Sequence, residues 1–418
     1  MSGESGTPSS DPALSTRSAI GIVGGGQLAL MLAEAADELG VELHVQTPSL
    51  DDPAAALAAV VVQADLGNAA ATRRLGACCR AISFENEWVD LEALAPLAVE
   101  GLVFRPSLAA LEPLVSKRRQ RELLERLHLP SPRWLPLDRL SDPLPPDEIP
   151  PPPGPGSAEP GPVFDLGFPL MAKASTGGYD GKGTVVIPDP VALKALLERV
   201  DPAEWILEEF VAFEQELALV ACRDGQGQVA WFPLARTHQR QQVCDWVLAP
   251  ASVDQAVEAL ARNVAASIMA SLDYVGVLSI EFFYGPGGLV VNELAPRTHN
   301  SGHFTIEACS TSQFAQQVRI VSGGDVADIE ADGPGALMVN LLGIEQSAAE
   351  EAERRTALAK LSGAHLHWYG KRESRPGRKL GHLTVLLQST TPSELELEAD
   401  RRLAEIRSIW PLATASAT

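Results

Sequence analysis

The sequence is poor in positive charge, in cysteine and in long apolar segments, and each shortage narrows what the protein can do. Its 418 residues carry 33 lysines and arginines against 54 aspartates and glutamates, a formal net charge of −21. Nucleic-acid binding needs a basic face, so this balance argues against a nucleic-acid partner. No apolar run approaches the roughly 18 residues of a membrane-spanning helix, so no membrane partner is expected either.

Cysteine is scarce and unpatterned. The five cysteines are odd in number and form no C-x-x-C pair, which is typical of a reducing compartment and argues against a zinc site. Residues 1–17 are polar and rich in Ser, Gly and Pro, without the apolar core of a signal peptide. We therefore expect a cytoplasmic protein whose first 17 residues form a disordered leader.

The chain then opens with a strand–turn–helix–strand pattern. A glycine triplet at 24–26 precedes helical spacing, and a second strand-like run covers 41–45. Such a turn at a helix N-terminus favours phosphate, and with Ala29 it fits a dinucleotide fingerprint. The acid that would hold a ribose is missing, because Gln46 follows the second strand. This disfavours a nicotinamide-dependent oxidoreductase, which stays as an alternative.

Two further strand-like runs, at 58–63 and 80–84, extend this pattern. The second ends in Glu85-Asn86-Glu87, and ligands bind at such strand ends in open α/β sheets. A helical pattern follows at 117–128, with Ser116 as its expected cap.

Proline interrupts the middle of the chain. Half of the residues at 143–162 are proline, so this stretch is expected to be an insertion or linker that forms no packed element. Beyond it, apolar residues at helical spacing over 253–268, Leu260 among them, predict a core-facing helix. Strands of a final small domain are expected at 336–342 and 383–387.

Two segments carry nucleotide-binding character. Four glycines and two lysines between Lys173 and Gly183 form a loop whose backbone N–H groups can wrap anionic oxygens. No helical pattern follows, so it is not a Walker A motif; the alternative is an ordinary hairpin turn. The strand-like run at 205–211 contains paired acids, and its edge can offer main-chain groups to a flat heterocycle.

The most informative segment is a hairpin with Glu281 and Glu293 on its two arms, around a Gly-Pro-Gly-Gly turn at 285–288. An effective loop of five residues would place the glutamates opposite each other, with Cβ atoms roughly 5 Å apart. A four-residue loop would make Glu281 face Asn292. Facing like charges need a cation, and oxygen ligands suit Mg²⁺, which accompanies phosphates. The alternative is a solvated hairpin with two surface acids.

A cationic loop stands out near the C-terminus of this acidic chain. Five cations lie within 371–379, around a Pro-Gly pair, and guanidinium groups suit phosphate. A solvated charged face is the alternative. Just before it, His365 and His367 share one face of a predicted strand, where a structural role is favoured over zinc because no third ligand is near.

These segments, in this order, resemble the ATP-grasp superfamily and, within it, the 5-(carboxyamino)imidazole ribonucleotide synthetase family. The motifs lie at 24–28, 177–183, 292–303 and 365–379, and the likeness spans 18–410 apart from the proline-rich insertion. The resemblance implies a carbon–nitrogen ligase of purine biosynthesis. It would use ATP, two Mg²⁺ ions and bicarbonate to carboxylate 5-aminoimidazole ribonucleotide by way of carboxyphosphate, as a homodimer.

The family also implies an architecture that combines α/β and α+β parts. A Rossmann-like pre-ATP-grasp domain would cover 18–115, a two-lobed ATP-grasp domain 116–320 with its lid lobe at 163–205, and a small β-rich C-terminal domain 321–418.

Position by position, the resemblance implies three groups of site residues. The nucleotide would be held by Lys117, Lys173, Gly178, Tyr179, Asp180, Gly181, Lys182, Gly183, Thr184, Glu208, Glu209, Phe210, Val211, Glu216, His238, Asn292 and Glu293. Glu281 and Glu293 would bind Mg²⁺, while Arg297, His299 and Asn300 would hold bicarbonate and Asp180 would accept a proton. The ribonucleotide would be held by Gln27, Glu87, Tyr179, Asp180, Lys371 and Arg378.

The sequence departs from the family pattern in two places. Ala29 and Leu30 replace a usual Gly-Arg pair, and the acidic segment at 83–88 has an unusual order. Both changes affect the N-terminal substrate contacts more than the ATP site. An ATP-grasp ligase with a different acceptor, or an inactive ATP-binding module, stays as an alternative.

Overall fold

A computed structural model describes residues 19–140, 166–177 and 183–412 of the chain. The predicted leader at 1–17 and the proline-rich stretch at 143–162 therefore lie outside the described residues.

The N-terminal part is a parallel sheet covered by helices, as the sequence predicts. Its strands are β1 (Ala19–Val23), β2 (Glu42–Thr47), β3 (Val60–Gln63) and β4 (Ile82–Phe84), in the order β3-β2-β1-β4. Its helices are α1 (Gln27–Glu38), α2 (Ala69–Gly76) and α3 (Leu91–Val99). Ile20 and Ile22 of β1 are fully buried, because helices cover both faces of a parallel sheet.

A second, small antiparallel sheet follows. Its strands are β5 (Trp134–Pro136), β6 (Leu170–Ala174), β7 (Thr184–Ile187) and β8 (Trp205–Glu209), in the order β5-β8-β6-β7. Helix α4 (Leu108–Leu111) packs near α3 of the N-terminal part, whereas α5 (Lys117–Arg126) and α6 (Pro190–Leu197) lie beside the small sheet. Ser116 precedes α5 as predicted, but its side chain makes no capping hydrogen bond.

The largest sheet has nine strands and is mainly antiparallel. Its strands are β9 (Gln215–Arg223), β10 (Val229–Trp231), β11 (Ala235–Arg240), β12 (Val243–Ala249), β13 (Gly276–Gly285), β14 (Gly288–Ala295), β15 (Gly335–Leu342), β16 (Ala364–Trp368) and β17 (Lys379–Leu387). The order is β14-β13-β9-β11-β12-β15-β17-β16, with β10 paired to β9. The helices are α7 (Gln255–Ser271), α8 (Thr305–Ala308), α9 (Gln313–Val321), α10 (Ala348–Leu358) and α11 (Pro392–Ile409).

The C-terminal strands continue the central sheet. Strand β15 pairs with β12 through Val247 and Met338, so the strands predicted for a final small domain share one sheet with the preceding part. Without β15 the edge of β12 would expose unpaired N–H and C=O groups. Residues 293–300, which contain Glu293, Arg297 and His299 and are called the reaction-centre segment below after the role that the resemblance implies, are thereby attached to the same sheet as the cationic loop at 371–379.

Helix α7 covers one face of the sheet, as its apolar spacing predicts. Val264 and Ile268 are buried in the core, while Val257 packs partly against it. Leu260 is 40% exposed, so its expected core position is wrong; it lies at the margin of the apolar stripe. Among the described residues, no helix is both long and apolar enough to cross a membrane.

We predict that Trp410→Ala destabilises the protein by about 3–5 kcal/mol, because Trp410 is fully buried and anchors the end of α11. Its Nε1 donates to the Leu342 carbonyl at 2.9 Å, and its ring packs edge-on against Trp368. Urea unfolding measures the loss. Leu397→Ala, on the exposed face of α11, should change stability by less than about 0.5 kcal/mol; equal losses in the two variants would contradict the assignment.

Candidate active site

The acidic hairpin formed by β13 and β14 has a specific register. Gly285 pairs with Gly288 around a two-residue turn, and an irregularity beyond Phe282 brings Glu281 opposite Glu293. The facing arrangement of the two glutamates is thus confirmed, and the alternative with Glu281 opposite Asn292 is wrong. The cause is a bulge at Asn292 rather than a five-residue loop, since an extra residue in one strand shifts the pairing by one.

Three carboxylates share one face of this sheet. Phe283 pairs with Glu216 of β9 and side chains alternate along a strand, so Glu216, Glu281 and Glu293 point the same way. Burial and the neighbouring Glu293 raise the pKa of Glu281 to about 7, and burial with the charge of Glu281 raises the pKa of Glu216 to about 7. A bound cation would relieve this repulsion.

The oxygen donors at this face fit Mg²⁺. Glu281 and Glu293 are carboxylates, and Mg²⁺ is usually bound by one or two carboxylates together with substrate phosphates and water. Within the described part of the chain, no group of three or more His, Cys, Asp or Glu side chains is arranged to hold a metal by itself. A metal here would therefore take its remaining ligands from the nucleotide.

Lys117 reaches this site from the first turn of α5. Its Nζ lies 2.5 Å from Oε1 of Glu293. Burial alone would raise the pKa of Glu293, but the charge of Lys117 and its hydrogen bond hold that pKa below the ordinary value. Two predicted site residues, distant in sequence, are thus brought together.

A buried ion network joins α5 to the small sheet. Glu208 accepts from Arg121 Nε at 2.7 Å and pairs with Lys173 Nζ at 2.8 Å, and Lys173 also donates to Asn292 Oδ1 at 3.0 Å. Burial would raise the pKa of Glu208, but the charges of Arg121 and Lys173 lower it to about 2. The Glu208 carboxylate is therefore engaged by cations rather than directed toward a ribose.

Arg121 is a site residue that the sequence did not single out. It lies one helical turn after Lys117 and so reaches the same region, and its Nη2 donates to the Asn292 carbonyl at 2.7 Å. The spacing of four residues between Lys117 and Arg121 on the predicted helix was the feature of the sequence that could have indicated Arg121.

Three other predicted nucleotide ligands, Glu209, Phe210 and His238, lie in different surroundings. Next to Glu208, Glu209 pairs with Arg133 at the surface and Phe210 is 46% exposed. His238 points to the face opposite Glu216, because its neighbour Thr237 pairs with Glu216 and the His238 ring stacks on Trp246. The structure therefore does not bring His238 to the acidic hairpin.

The glycine-rich loop joins β6 and β7, which form an antiparallel pair closed by a hydrogen bond from Ala174 N to the Gly183 carbonyl. Strand β7 begins at Thr184 and no helix follows directly, as expected. The predicted site residues Gly178, Tyr179, Asp180, Gly181 and Lys182 lie outside the described residues.

Arg297 connects the reaction-centre segment to the N-terminal sheet. Its Nε and Nη2 donate to the two carboxylate oxygens of Glu87 at 2.5 and 3.2 Å. Burial would raise the pKa of Glu87, but Arg297 holds it below the ordinary value. A bidentate pair of this kind fixes the plane of the guanidinium.

His299 and Asn300 have different roles in the structure. Burial, Arg297 and Lys379 lower the pKa of His299 to about 3, so its ring is neutral; its Nε2 lies 3.9 Å from Glu281 Oε1. The Asn300 side chain instead exchanges two hydrogen bonds with the buried Asn340 amide, at 2.9 and 2.7 Å. Each polar group of Asn300 thus has one protein partner, which leaves one N–H and one lone pair for a further ligand, and its contact with bicarbonate stays a prediction.

The N-terminus of α1 also differs from the expected phosphate site. The half-buried Glu85 carboxyl group accepts from Gly26 N at 2.6 Å and from Leu28 N at 3.1 Å, so the protein itself supplies the acceptor for this turn. A Cβ at Gly26 would lie 2.4 Å from Glu85 Oε1, which explains the glycine. This occupied turn argues against a dinucleotide and hence against the oxidoreductase alternative.

The structure brings together two predicted ribonucleotide ligands from opposite ends of the chain. Lys371 Nζ donates to Gln27 Oε1 at 2.7 Å and to the Lys379 carbonyl at 2.8 Å. In the same loop, Arg372 pairs with Asp51, while Arg378 contacts Glu373. The cationic loop therefore docks on the N-terminal part rather than forming only a solvated face.

Family patterns match most of the sequence. The ribonucleotide synthetase preATP-grasp domain matches residues 17–112, and the ATP-grasp domain matches 161–314. The phosphoribosylaminoimidazole carboxylase C-terminal domain matches 336–394.

Similar proteins align over nearly the whole chain. The N5-carboxyaminoimidazole ribonucleotide synthase of Synechococcus elongatus is 46% identical over 392 residues, which cover 94% of this chain and 95% of that protein. A crystal structure of the synthetase from Staphylococcus aureus complexed with ADP has a TM-score of 0.78 at 30% identity, covering 91% of this chain and 96% of that one. The Aspergillus clavatus synthase in complex with ADP and 5-aminoimidazole ribonucleotide has a TM-score of 0.77 at 27% identity, covering 94% and 99%.

We predict that Glu281→Gln stabilises the protein in EDTA, increasingly so as pH rises. The native pKa of about 7 exceeds the ordinary 4.5, so native Glu281 keeps a proton that the unfolded chain releases. Its contribution to stability is therefore present below about pH 4.5 and is lost as pH rises to about 7, whereas glutamine is unaffected. Melting temperatures at about pH 5 and about pH 8 test this.

The control for this measurement is Glu258→Gln, at an exposed i,i+4 pair with Arg262 on α7. It should show little pH-dependent difference from the wild type. A Glu281→Gln effect of the same size at both pH values would contradict the assignment.

Proposed function

The chain belongs to the N5-carboxyaminoimidazole ribonucleotide synthase family, and we propose that it carboxylates the amine of 5-aminoimidazole ribonucleotide using bicarbonate and Mg²⁺-bound ATP. It is an ATP-grasp ligase of purine biosynthesis. The observation that carries the proposal is the convergence of three parts of the chain. The paired Glu281 and Glu293 lie beside Lys117, Arg297 ties this centre to the N-terminal sheet, and Lys371 meets Gln27.

The ATP phosphates would lie between the acidic hairpin and the glycine-rich loop. Glu281 and Glu293 would hold Mg²⁺, which when bound neutralises charge on the phosphates. Lys117 and Lys173 reach this space from α5 and β6, and both already contact residues of β14. On nucleotide binding, Lys117 would exchange its contact with Glu293 for a phosphate oxygen.

Bicarbonate would bind next to Arg297 and His299. Attack of bicarbonate on the γ-phosphate brings anions together, so a fixed guanidinium beside it lowers the barrier. Glu87 holds Arg297 by two hydrogen bonds, and the neutral His299 can donate or accept a hydrogen bond without adding charge. Asn300 would contact bicarbonate with its remaining N–H, while its hydrogen bonds with Asn340 fix this segment.

The ribonucleotide would lie between the N-terminal sheet and the cationic loop. Gln27 and Lys371 already meet there, and Glu87 and Arg378 lie on the two parts that flank this contact. The related Aspergillus clavatus structure in complex with ADP and 5-aminoimidazole ribonucleotide supports this acceptor. Its amine nitrogen would form a bond to the carboxyl carbon of carboxyphosphate while the C–O bond to phosphate breaks and inorganic phosphate leaves. Asp180 would accept the amine proton, and Tyr179 is a further proposed contact.

We also propose that the enzyme is a homodimer, as the family resemblance implies, and that it acts in the cytoplasm. Sedimentation equilibrium of the full chain measures its mass in solution against the 44.4 kDa of one chain.

The central test is phosphate release from ATP with and without bicarbonate and 5-aminoimidazole ribonucleotide. We predict turnover that depends on the ribonucleotide and falls by about a hundredfold or more in Glu293→Gln, because one charged Mg²⁺ ligand is lost. Glu258→Gln, at an exposed position of α7 that pairs with Arg262, should retain full activity. Ribonucleotide-independent hydrolysis in the wild type, or full activity in Glu293→Gln, would refute the proposed function.

A second prediction concerns the acceptor. Lys371→Ala should raise the KM for the ribonucleotide by about tenfold or more and leave the KM for ATP unchanged, because only one charge-assisted contact is removed. Arg375→Ala, at an exposed position of the same loop, is the control. Equal changes in both KM values would show that Lys371 does not discriminate between the two substrates.

A further inference from the structure

A stack of three histidines lies directly behind the reaction-centre segment and the cationic loop. His367 of β16 and His382 of β17 stack with ring centroids 4.5 Å apart, and His303 lies 4.8 Å from His382 on the other side. His303 and His382 are fully buried. These three residues, called the histidine stack below, have no part in the proposed chemistry.

The histidine stack contains two buried ring nitrogens that make no hydrogen bond to the described part of the chain. Within the described residues, Nε2 of His303 and Nε2 of His382 have no hydrogen-bond partner. Burial and the neighbouring histidines keep the pKa of both rings well below the ordinary value, so both are neutral. Buried polar atoms without partners cost free energy, so apolar residues would pack here more favourably.

The outer end of the histidine stack is an ion pair. His367 Nε2 lies 2.5 Å from Oε1 of Glu307 in α8. Burial would lower the pKa of His367, but Glu307 and, more weakly, Glu34 of α1 raise it above the ordinary value. The third facing group is His382, whose neutral ring adds no charge. His367 is therefore the one histidine of the stack that carries a proton readily.

The inner end of the histidine stack leads to the predicted ribonucleotide ligands. The Tyr369 hydroxyl is hydrogen-bonded to His382 Nδ1 at 2.9 Å, and the Tyr369 ring is buried against α1. Lys371 Nζ lies 5.3 Å from the centre of that ring and contacts Gln27. An unbroken series of contacts thus runs from Glu307 through His367, His382 and Tyr369 to Lys371.

We propose that the Glu307–His367 ion pair, acting through His382, positions Tyr369 and Lys371 and so sets the affinity for the ribonucleotide. His367 and Glu307 are positioning residues and touch no substrate. The inference rests on the proposed ribonucleotide-binding role of Lys371. It adds the Glu307–His367 ion pair to the residues that act on ribonucleotide binding through Lys371.

The test is steady-state kinetics of the full-length enzyme with ATP, bicarbonate and 5-aminoimidazole ribonucleotide. His367→Gln and Glu307→Gln should each raise the KM for the ribonucleotide by about tenfold, with the KM for ATP changed by less than about twofold. The double variant should resemble either single variant, because both changes break one interaction. His365→Gln, an exposed histidine two residues earlier on β16, is the matched control and should behave as wild type.

A pH series separates positioning from general structural damage. In the wild type the ion pair is present below the pKa of His367, so the KM for the ribonucleotide should rise as pH passes above that value. Glu307→Gln removes the partner of His367, so its KM for the ribonucleotide should already be high and should show no such rise over the same pH range. Melting temperatures identify any variant that fails to fold. If His367→Gln does not fold, the isosteric Glu307→Gln still tests the ion pair.

The outcomes distinguish this inference from the proposed function. A wild-type enzyme without ribonucleotide-dependent phosphate release refutes the proposed function itself. If the wild-type enzyme turns over normally, the positioning role alone is refuted by either of two results. One is that His367→Gln and Glu307→Gln are indistinguishable from His365→Gln, and the other is that Glu307→Gln keeps the wild-type pH transition of the KM.

Discussion

The repulsion between two facing carboxylates, Glu281 and Glu293, is the constraint on which the site depends. A sheet normally avoids like charges at directly opposed positions, because nothing screens them there. Here Lys117 neutralises Glu293, while Glu281 is left with its pKa raised to about 7 by burial and by its neighbour. A bound cation would therefore stabilise the hairpin, and Lys117 of α5 already lies beside Glu293.

Ion pairs between residues far apart in sequence hold the three parts of the chain together around the site. Arg297 of the central part pairs with Glu87 of the N-terminal sheet, and Arg121 and Lys173 hold Glu208 in the small sheet. Buried pairs like these contribute little net stability compared with apolar packing, but breaking one partner leaves an uncompensated charge. They therefore fix the geometry of the side chains at the proposed site.

Much of the fold and the site was predictable from local pattern. The βαβ opening, the two strands that flank the glycine loop and the acidic hairpin all appear where apolar periodicity and turn residues place them. The contacts that local pattern did not indicate are those of side chains with long-range partners. Glu85 caps α1, Asn300 pairs with Asn340, and His238 stacks on Trp246, and no local spacing indicates any of these contacts.

The sequence by itself determined the family, the acids of the hairpin and the cations of the loop at 371–379, because these are local motifs of residue type and spacing. Only the tertiary structure decided the register of that hairpin, since the bulge at Asn292 depends on pairing across strands. It alone also brought Lys371 to Gln27, and His303 to His382, because contacts between residues far apart in sequence form only when the chain folds.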